Sequence, residues 1–323
     1  MESSILISGG EDWNIMRNST KIHRFWERQV RKFQMIGSPS KKIVVTSKLW
    51  NLMQDISEHH LLFNHQEELM MFGQIKCMIF KLKLGNWVRH SNYNVKRWTG
   101  SSFIIQMPGG IFMFGSPKSI IRTLRYTYEY LPNGSQSWNL GNLPEREDFD
   151  FWFSFGLAIS KNELLVMGGK NPPDTTNSFQ PRRKIMKFNV DDSTWTHFGN
   201  LRVGRRSANA VLFNNRIIIN GGRINHEPTT SLRSTEILTL QKTELQHTYF
   251  VDIKDGGDSA FSRLGQLCMG LVNVENKAKL IIFGGENPIE EWNDETESWH
   301  ISNLSPPSVQ ANFGYYFKPQ TLN

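Results

Sequence analysis

Two arginine pairs, Arg182–Arg183 and Arg205–Arg206, with Arg223 shortly after them, are the most concentrated recognition chemistry in this 323-residue sequence. A guanidinium presents a planar fork of donors that matches carboxylates and phosphates, so paired arginines point to an anionic partner group. Residues that could carry catalysis are sparser. The chain has no G-x-S-x-G, no phosphate-cradling G-x-x-x-x-G-K-[ST], no H-E-x-x-H and no C-x-x-C. Its histidines gather only at His59, His60 and His65. In a strand, His59 and His60 point to opposite faces and cannot share one metal. Cys77 and Cys268 are the only cysteines, and they read as small apolar core residues. Trp98 follows Lys96–Arg97, the one place where an aromatic beside basic residues offers base stacking. The expectation is no catalytic residue, no metal site and no cofactor.

The elements that must position the arginines read as β-hairpins. In Gly204–Gly222, an apolar stretch at 208–213, the turn Asn214–Asn215 and the β-branched run 216–220 form one hairpin closed by two glycines. Asn tolerates the positive φ of a two-residue turn. The phrase recurs at 5–10, 69–73, 111–115, 165–169 and 281–285, with final glycines at 10, 73, 115, 169, 222 and 285. The intervals are 63, 42, 54, 53 and 63 residues. Partner strands precede the phrases, at 60–64, 102–107, 151–159, 208–213 and 267–274. Strands ending at Trp87, Trp138, Trp195 and Trp299 follow, with Phe33 and Phe250 as stand-ins. Four strands in each of six copies predict about 24 short strands. Only the stretch around 51–57 leaves helix or strand undecided.

A glycine doublet, a hydrophobic strand, an acidic turn and a Trp together resemble the kelch repeat. K-I-M-K-F-N-V-D-D-S-T-W (184–195) and E-W-N-D-E-T-E-S-W (291–299) carry the likeness most clearly. The second and third copies keep one glycine where the family has two. The resemblance covers essentially the whole chain and implies an all-β, six-bladed β-propeller of four-stranded blades. It implies a single domain, 1–323. The closing blade would be shared by about 1–38 and 306–323, where Q-A-N-F-G-Y-Y-F (310–317) supplies the strand missing before 5–8. A ring sealed from both termini has no exposed sheet edge. Some kelch-like propellers are copper oxidases that use Tyr and His with a Tyr–Cys link. The reading of Cys77 and Cys268 as core residues goes against that activity.

Strand direction then sorts the charges. In an antiparallel blade the loop before the first strand and the loop after the second share one face. That face collects Arg97, Arg146, Arg205, Arg206 and Arg263 from the first set of loops. It collects Lys118, Lys170, Arg182, Arg183, Arg223 and Arg233 from the second. Net charge is +7, from 37 Lys and Arg against 30 Asp and Glu, a surplus that favours acidic partners. No apolar run approaches the roughly 18 residues that span a bilayer, and the N-terminus lacks the regions of a secretory signal. The expectation is a cytoplasmic protein-interaction scaffold, a substrate-recruiting or adaptor module. It would hold an acidic segment of a partner protein on Arg182, Arg183, Arg205, Arg206 and Arg223. An enzyme working in the central channel is the first alternative, and a nucleic-acid binder is the less favoured second.

Overall fold

A computed structural model describes residues 4–8, 29–36, 42–51, 60–63, 69–72, 77–81, 86–89, 103–114, 127–135, 137–142, 153–169, 181–224, 231–242, 248–261, 268–274, 277–283, 287–303 and 315–317. Among these the secondary structure is strand throughout, in six four-stranded sheets. Sheet 2 contains β4 (His60–Phe63), β5 (Leu69–Phe72), β6 (Cys77–Lys81) and β7 (Asn86–Arg89). Sheet 3 contains β8 (Phe103–Met107), β9 (Gly110–Phe114), β10 (Thr127–Pro132) and β11 (Asn139–Asn142). Sheet 4 contains β12 (Ser154–Ala158), β13 (Glu163–Gly168), β14 (Lys184–Asn189) and β15 (Thr194–Asn200). Sheet 5 contains β16 (Asn209–Phe213), β17 (Arg216–Asn220), β18 (Thr235–Lys242) and β19 (Thr248–Gly256). Sheet 6 contains β20 (Cys268–Val274), β21 (Lys277–Phe283), β22 (Glu290–Asn293) and β23 (Ser298–Ile301).

Sheet 1 joins the two ends of the sequence. β24 (Tyr315–Phe317) pairs antiparallel with β1 (Ser4–Ser8), which continues into β2 (Gln29–Ile36) and β3 (Lys42–Asn51). The first strands of the sheets meet in cyclic order. β4 touches β8, β8 touches β12, β12 touches β16 and β16 touches β20, while β24 touches both β20 and β4. The boundary near residue 38 falls short, because the outer strand of sheet 1 is β3, reaching Asn51. Phe33 therefore lies in the third strand, between Ile5 and Val45, rather than in the fourth. β3 also ends in an aromatic, Trp50, but Thr46, Ser47 and Lys48 interrupt its apolar pattern. Residues 52–57 of the undecided stretch lie outside the described residues.

In sheets 4 and 5 the second strand reads as a continuous apolar run because both of its faces are covered. Successive strand residues point to opposite sides. Ile217 and Ile219 are fully buried with Leu165, Met167 and Ile185 of sheet 4. Ile218, between them, is buried with Leu280, Ile282, Trp292 and Trp299 of sheet 6. β13 repeats the device, with Leu164 and Val166 against Phe112 and Phe114 of sheet 3 and Leu165 and Met167 against sheet 5. Each such side chain contributes about 1.5–3 kcal/mol on burial. Trp195 and Trp299 are packing elements. Trp195 lies 4.6 Å from Phe188 and 6.0 Å from Phe114, centroid to centroid. Trp299 Nε1 donates to Thr235 Oγ1 at 2.8 Å, fastening sheet 6 to sheet 5.

The turns obey their residue types. Asn214 and Asn215 both adopt positive φ, 50° and 58°, as a mirror-image hairpin turn requires. Asp192 Oδ1 accepts from Thr194 N at 3.0 Å, and Asn293 Oδ1 accepts from Glu295 N at 2.9 Å. These contacts explain the polar and acidic residues between third and fourth strands. At the glycine doublet, Gly221 and Gly222 have φ of 73° and 90°. A Cβ on Gly222 would stand 2.8 Å from the Arg206 carbonyl oxygen. Gly222→Val is expected to cost more than the roughly 1–3 kcal/mol of the backbone strain alone. Chemical denaturation would show this as a lowered midpoint, and an unchanged midpoint would mean that the doublet is no constrained turn.

Candidate interaction face

The loops that carry the arginines are laced together through their backbones. After β13, Gly169 N donates to Arg205 O at 2.9 Å, and Gly169 O accepts from Arg182 N at 2.8 Å. Arg205 N donates to Arg182 O at 3.2 Å, which draws the loop before β14 against the loop before β16. Arg206 and Arg223 exchange both backbone hydrogen bonds, at 3.1 and 2.9 Å. Ser207 N reaches Phe153 O, ahead of β12, at 2.8 Å. Loops before the first strands and after the second strands thus share one face, formed by sheets 4 and 5. Arg182, Arg206 and Arg223 lie in these bonded segments, and Arg183 is exposed beside them. The Arg183 Nε–H donates to Leu201 O at 2.6 Å, fixing its stem to the connection from sheet 4.

Arg205 does not belong to that surface. It is fully buried, and its NH2 donates to Glu236 Oε1 at 2.6 Å. NH1 donates to Gly221 O and Ser234 O, both at 3.0 Å. Adjacent residues of an extended segment point in opposite directions, so the Arg205–Arg206 pair divides its labour: the first anchors, the second faces the loops. Desolvation by burial pushes the Arg205 guanidinium below its ordinary value, opposed by the charge and hydrogen bond of Glu236. Glu236, also fully buried, accepts from Arg202 N at 2.7 Å and Val203 N at 3.1 Å as well. Glu290 occupies the corresponding place in sheet 6 and accepts from Ala260 N at 2.6 Å. In both sheets a buried carboxylate at the start of the third strand holds the connection arriving from the previous sheet.

Arg206 is 6% exposed, its guanidinium carbon 4.9 Å from the Phe153 ring centroid. Burial, and then the positive charge of Arg223, push it below the ordinary arginine value. Around these charges the face shows two apolar side chains, Val203 and Ile224, 37% and 41% exposed. Glu236 and Phe153 are the residues that reasoning from charge alone misses. Glu236 has a signal in the sequence, since T-E-I-L-T-L sets a carboxylate among apolar strand residues and a core carboxylate requires a cation. Phe153 has none. Of the wider basic set, Arg97, Arg146, Arg263, Lys118 and Lys170 lie outside the described residues, as does Trp98; Arg233 is exposed. Among the described residues, no three His, Cys, Asp or Glu side chains are grouped to hold a metal ion, and no helix is long and apolar enough to cross a membrane.

No family model and no curated protein sequence matches the chain. Solved structures do match it. The structure of YjhT has 9% sequence identity and a TM-score of 0.58, over 92% of this chain and 96% of that one. A fungal alcohol oxidase of the AA5 family, in complex with copper, has 11% identity and a TM-score of 0.57. That match covers 80% of this chain and 54% of the oxidase, so the chain spans about half of that enzyme's length. At such identities the likeness concerns the fold. Taken with the four-stranded sheets whose first strands meet, it defines the class: an all-β propeller with four-stranded blades.

Proposed function

We propose that this chain is a cytoplasmic protein-interaction scaffold, a single-domain, six-bladed propeller of the kelch-repeat type, with the loop face of sheets 4 and 5 as its docking surface. The six sheets and the cyclic meeting of their first strands support the blade count. One observation carries the function: backbone hydrogen bonds fasten loops of adjacent sheets into a surface bearing Arg182, Arg183 and Arg223 beside exposed Val203 and Ile224. Arginine with apolar side chains is the composition of protein interfaces, and a surface already fixed loses little entropy on binding. The ligand that fits is an acidic segment of a partner protein, as for an adaptor or substrate-recruiting module.

The test compares proteins captured by the wild type, by Arg182→Glu/Arg183→Glu, and by Lys161→Glu/Lys277→Glu. Lys161 and Lys277 are exposed residues at turns between first and second strands, on the opposite face. With melting temperatures matched, partners held by the wild type and the lysine variant should be lost from the arginine variant. Identical capture by all three proteins would reject the docking face. The copper-bound oxidase that shares the fold leaves channel chemistry as the competing reading. Copper bound at one ion per chain in purified protein, measured by mass spectrometry, would favour that reading instead.

A further inference from the structure

The sequence contains two Asn-Gly pairs, Asn133–Gly134 and Asn220–Gly221, and the fold treats them in opposite ways. In such a pair the glycine nitrogen can approach the asparagine Cγ, because glycine has no Cβ to stand in the way. Asn133 and Gly134 are the central residues of the turn after β10, closed by Ser135 N donating to Pro132 O at 3.0 Å. Gly134 has φ of 75°, as a type II turn requires of its third residue. Both residues are exposed, and nothing lies within 4 Å of the place that a Cβ on Gly134 would take. The Gly134 N–H has no hydrogen-bond partner among the described residues. Asn133 Nδ2 donates to Pro108 O at 2.5 Å and Asn133 N donates to Gly109 O at 3.0 Å, which holds this turn to the one between β8 and β9. The bond to Pro108 engages the amide nitrogen and not the carbon open to attack. Asn220 is placed the other way. It is 1% exposed, and its Nδ2 donates to Arg233 O at 3.1 Å and to Thr235 Oγ1 at 2.8 Å. Gly221 N donates to Ser234 O at 3.3 Å, so the nitrogen that would attack is itself bound.

We propose that Asn133 is a site of spontaneous deamidation, converted through a succinimide to aspartate and isoaspartate, while Asn220 keeps its amide in the folded protein. Gly134 N gives its proton to solvent base and bonds to Asn133 Cγ. The Cγ–Nδ2 bond breaks, and the nitrogen takes up a proton and leaves as ammonia. Water then opens the ring at either carbonyl. Opening at Cγ gives aspartate, and opening at the backbone carbonyl routes the chain through the side chain as isoaspartate. One water is consumed and one ammonia released, with no oxidant or reductant. In the aspartate product an acceptor oxygen replaces the Nδ2 donor and faces the Pro108 carbonyl, so the turn loses that hold on its neighbour. The change lies on the face opposite the arginine loops and is independent of the docking reading.

The experiment incubates the whole chain at mildly alkaline pH, folded and in urea, and maps its peptides by mass spectrometry. In the folded protein the peptide carrying Asn133 should gain acid forms, one of them a substrate for an isoaspartyl methyltransferase. The peptide carrying Asn220 should keep its amide. In urea both should convert, because the glycine neighbour alone then governs the reaction. Hydroxylamine, which cuts a chain at a succinimide, should cleave the folded protein between Asn133 and Gly134 and leave Asn220–Gly221 intact. Asn133→Asp, which carries the aspartate product from the start, should show a lower denaturation midpoint than the wild type. Folded protein that keeps the Asn133 amide as fully as that of Asn220, or loses both at one rate, overturns the proposal. Acid at Asn133 with neither an isoaspartyl form nor hydroxylamine cleavage overturns the succinimide route. An unchanged midpoint in Asn133→Asp overturns the lost hold on the neighbouring turn.

Discussion

Arg205→Ala is expected to remove about 3–5 kcal/mol of stability, the cost of breaking a buried ion pair from one side. The variant leaves the buried Glu236 carboxyl with only the backbone N–H groups of Arg202 and Val203 for partners. It also strips Gly221 O and Ser234 O of the donors that NH1 supplies. Glu236→Ala should be comparably damaging from the other side, since it strands a guanidinium whose Nε has no hydrogen-bond partner among the described residues. Urea denaturation of Arg205→Met, Glu236→Leu and Arg205→Met/Glu236→Leu would measure the coupling. The double variant should lose less than the sum of the two single changes, because apolar replacement of both partners removes the uncompensated charge. Strict additivity would mean that the pair is no energetic unit. The contrast with Arg206 is useful in the same series. Arg206→Gln keeps the backbone exchange with Arg223 and relieves like-charge repulsion, so it should cost much less than Arg205→Ala.

The strand pattern was largely legible in the sequence, for a physical reason. A sheet covered on both faces needs an unbroken apolar second strand, and such runs survive as L-L-V-M and R-I-I-I-N even where other positions drift. The glycine doublet is equally legible because its backbone sits at positive φ, which few other residues tolerate. Sheet 1 was harder to read. Its outer strand contains Lys42, Ser47 and Lys48, and its pairing with β2 shifts register twice, so no clean period survives to be counted. The arginine cluster was legible as charge and not as geometry. Nothing in R-R says which arginine points inward; that depends on where Glu236 emerges, some thirty residues later, on a strand packed beneath. The bridge between Arg206 and Arg223 likewise joins the loop before β16 to the connection between β17 and β18, and a contact between separate loops leaves no local signature. Phe153 is the extreme case, since its conformation follows from the neighbouring sheet.

Deleting residues 306–323 should abolish the monomeric, cooperatively folded protein. β24 is the first strand of sheet 1, pairing with β1 through Ile5–Phe317, Leu6–Tyr316 and Ile7–Tyr315. Without it, β1 presents an open row of backbone donors and acceptors, the usual template for edge-to-edge aggregation. β24 also touches the first strands on both sides, β20 and β4, so its loss opens the cycle at two contacts as well as at one edge. The remaining sheets keep their own pairings, which predicts an associated or partly folded species rather than a random coil. Size-exclusion chromatography should show the truncated chain eluting as aggregates, and a thermal melt should broaden and shift downward. Adding a synthetic peptide of residues 306–323 during refolding should restore the monomer, because an extended segment can add as a strand to an open edge. Rescue by that peptide and none by a scrambled one would tie the effect to strand pairing. A truncated chain that stays monomeric with an unchanged melting temperature would show that sheet 1 closes without β24.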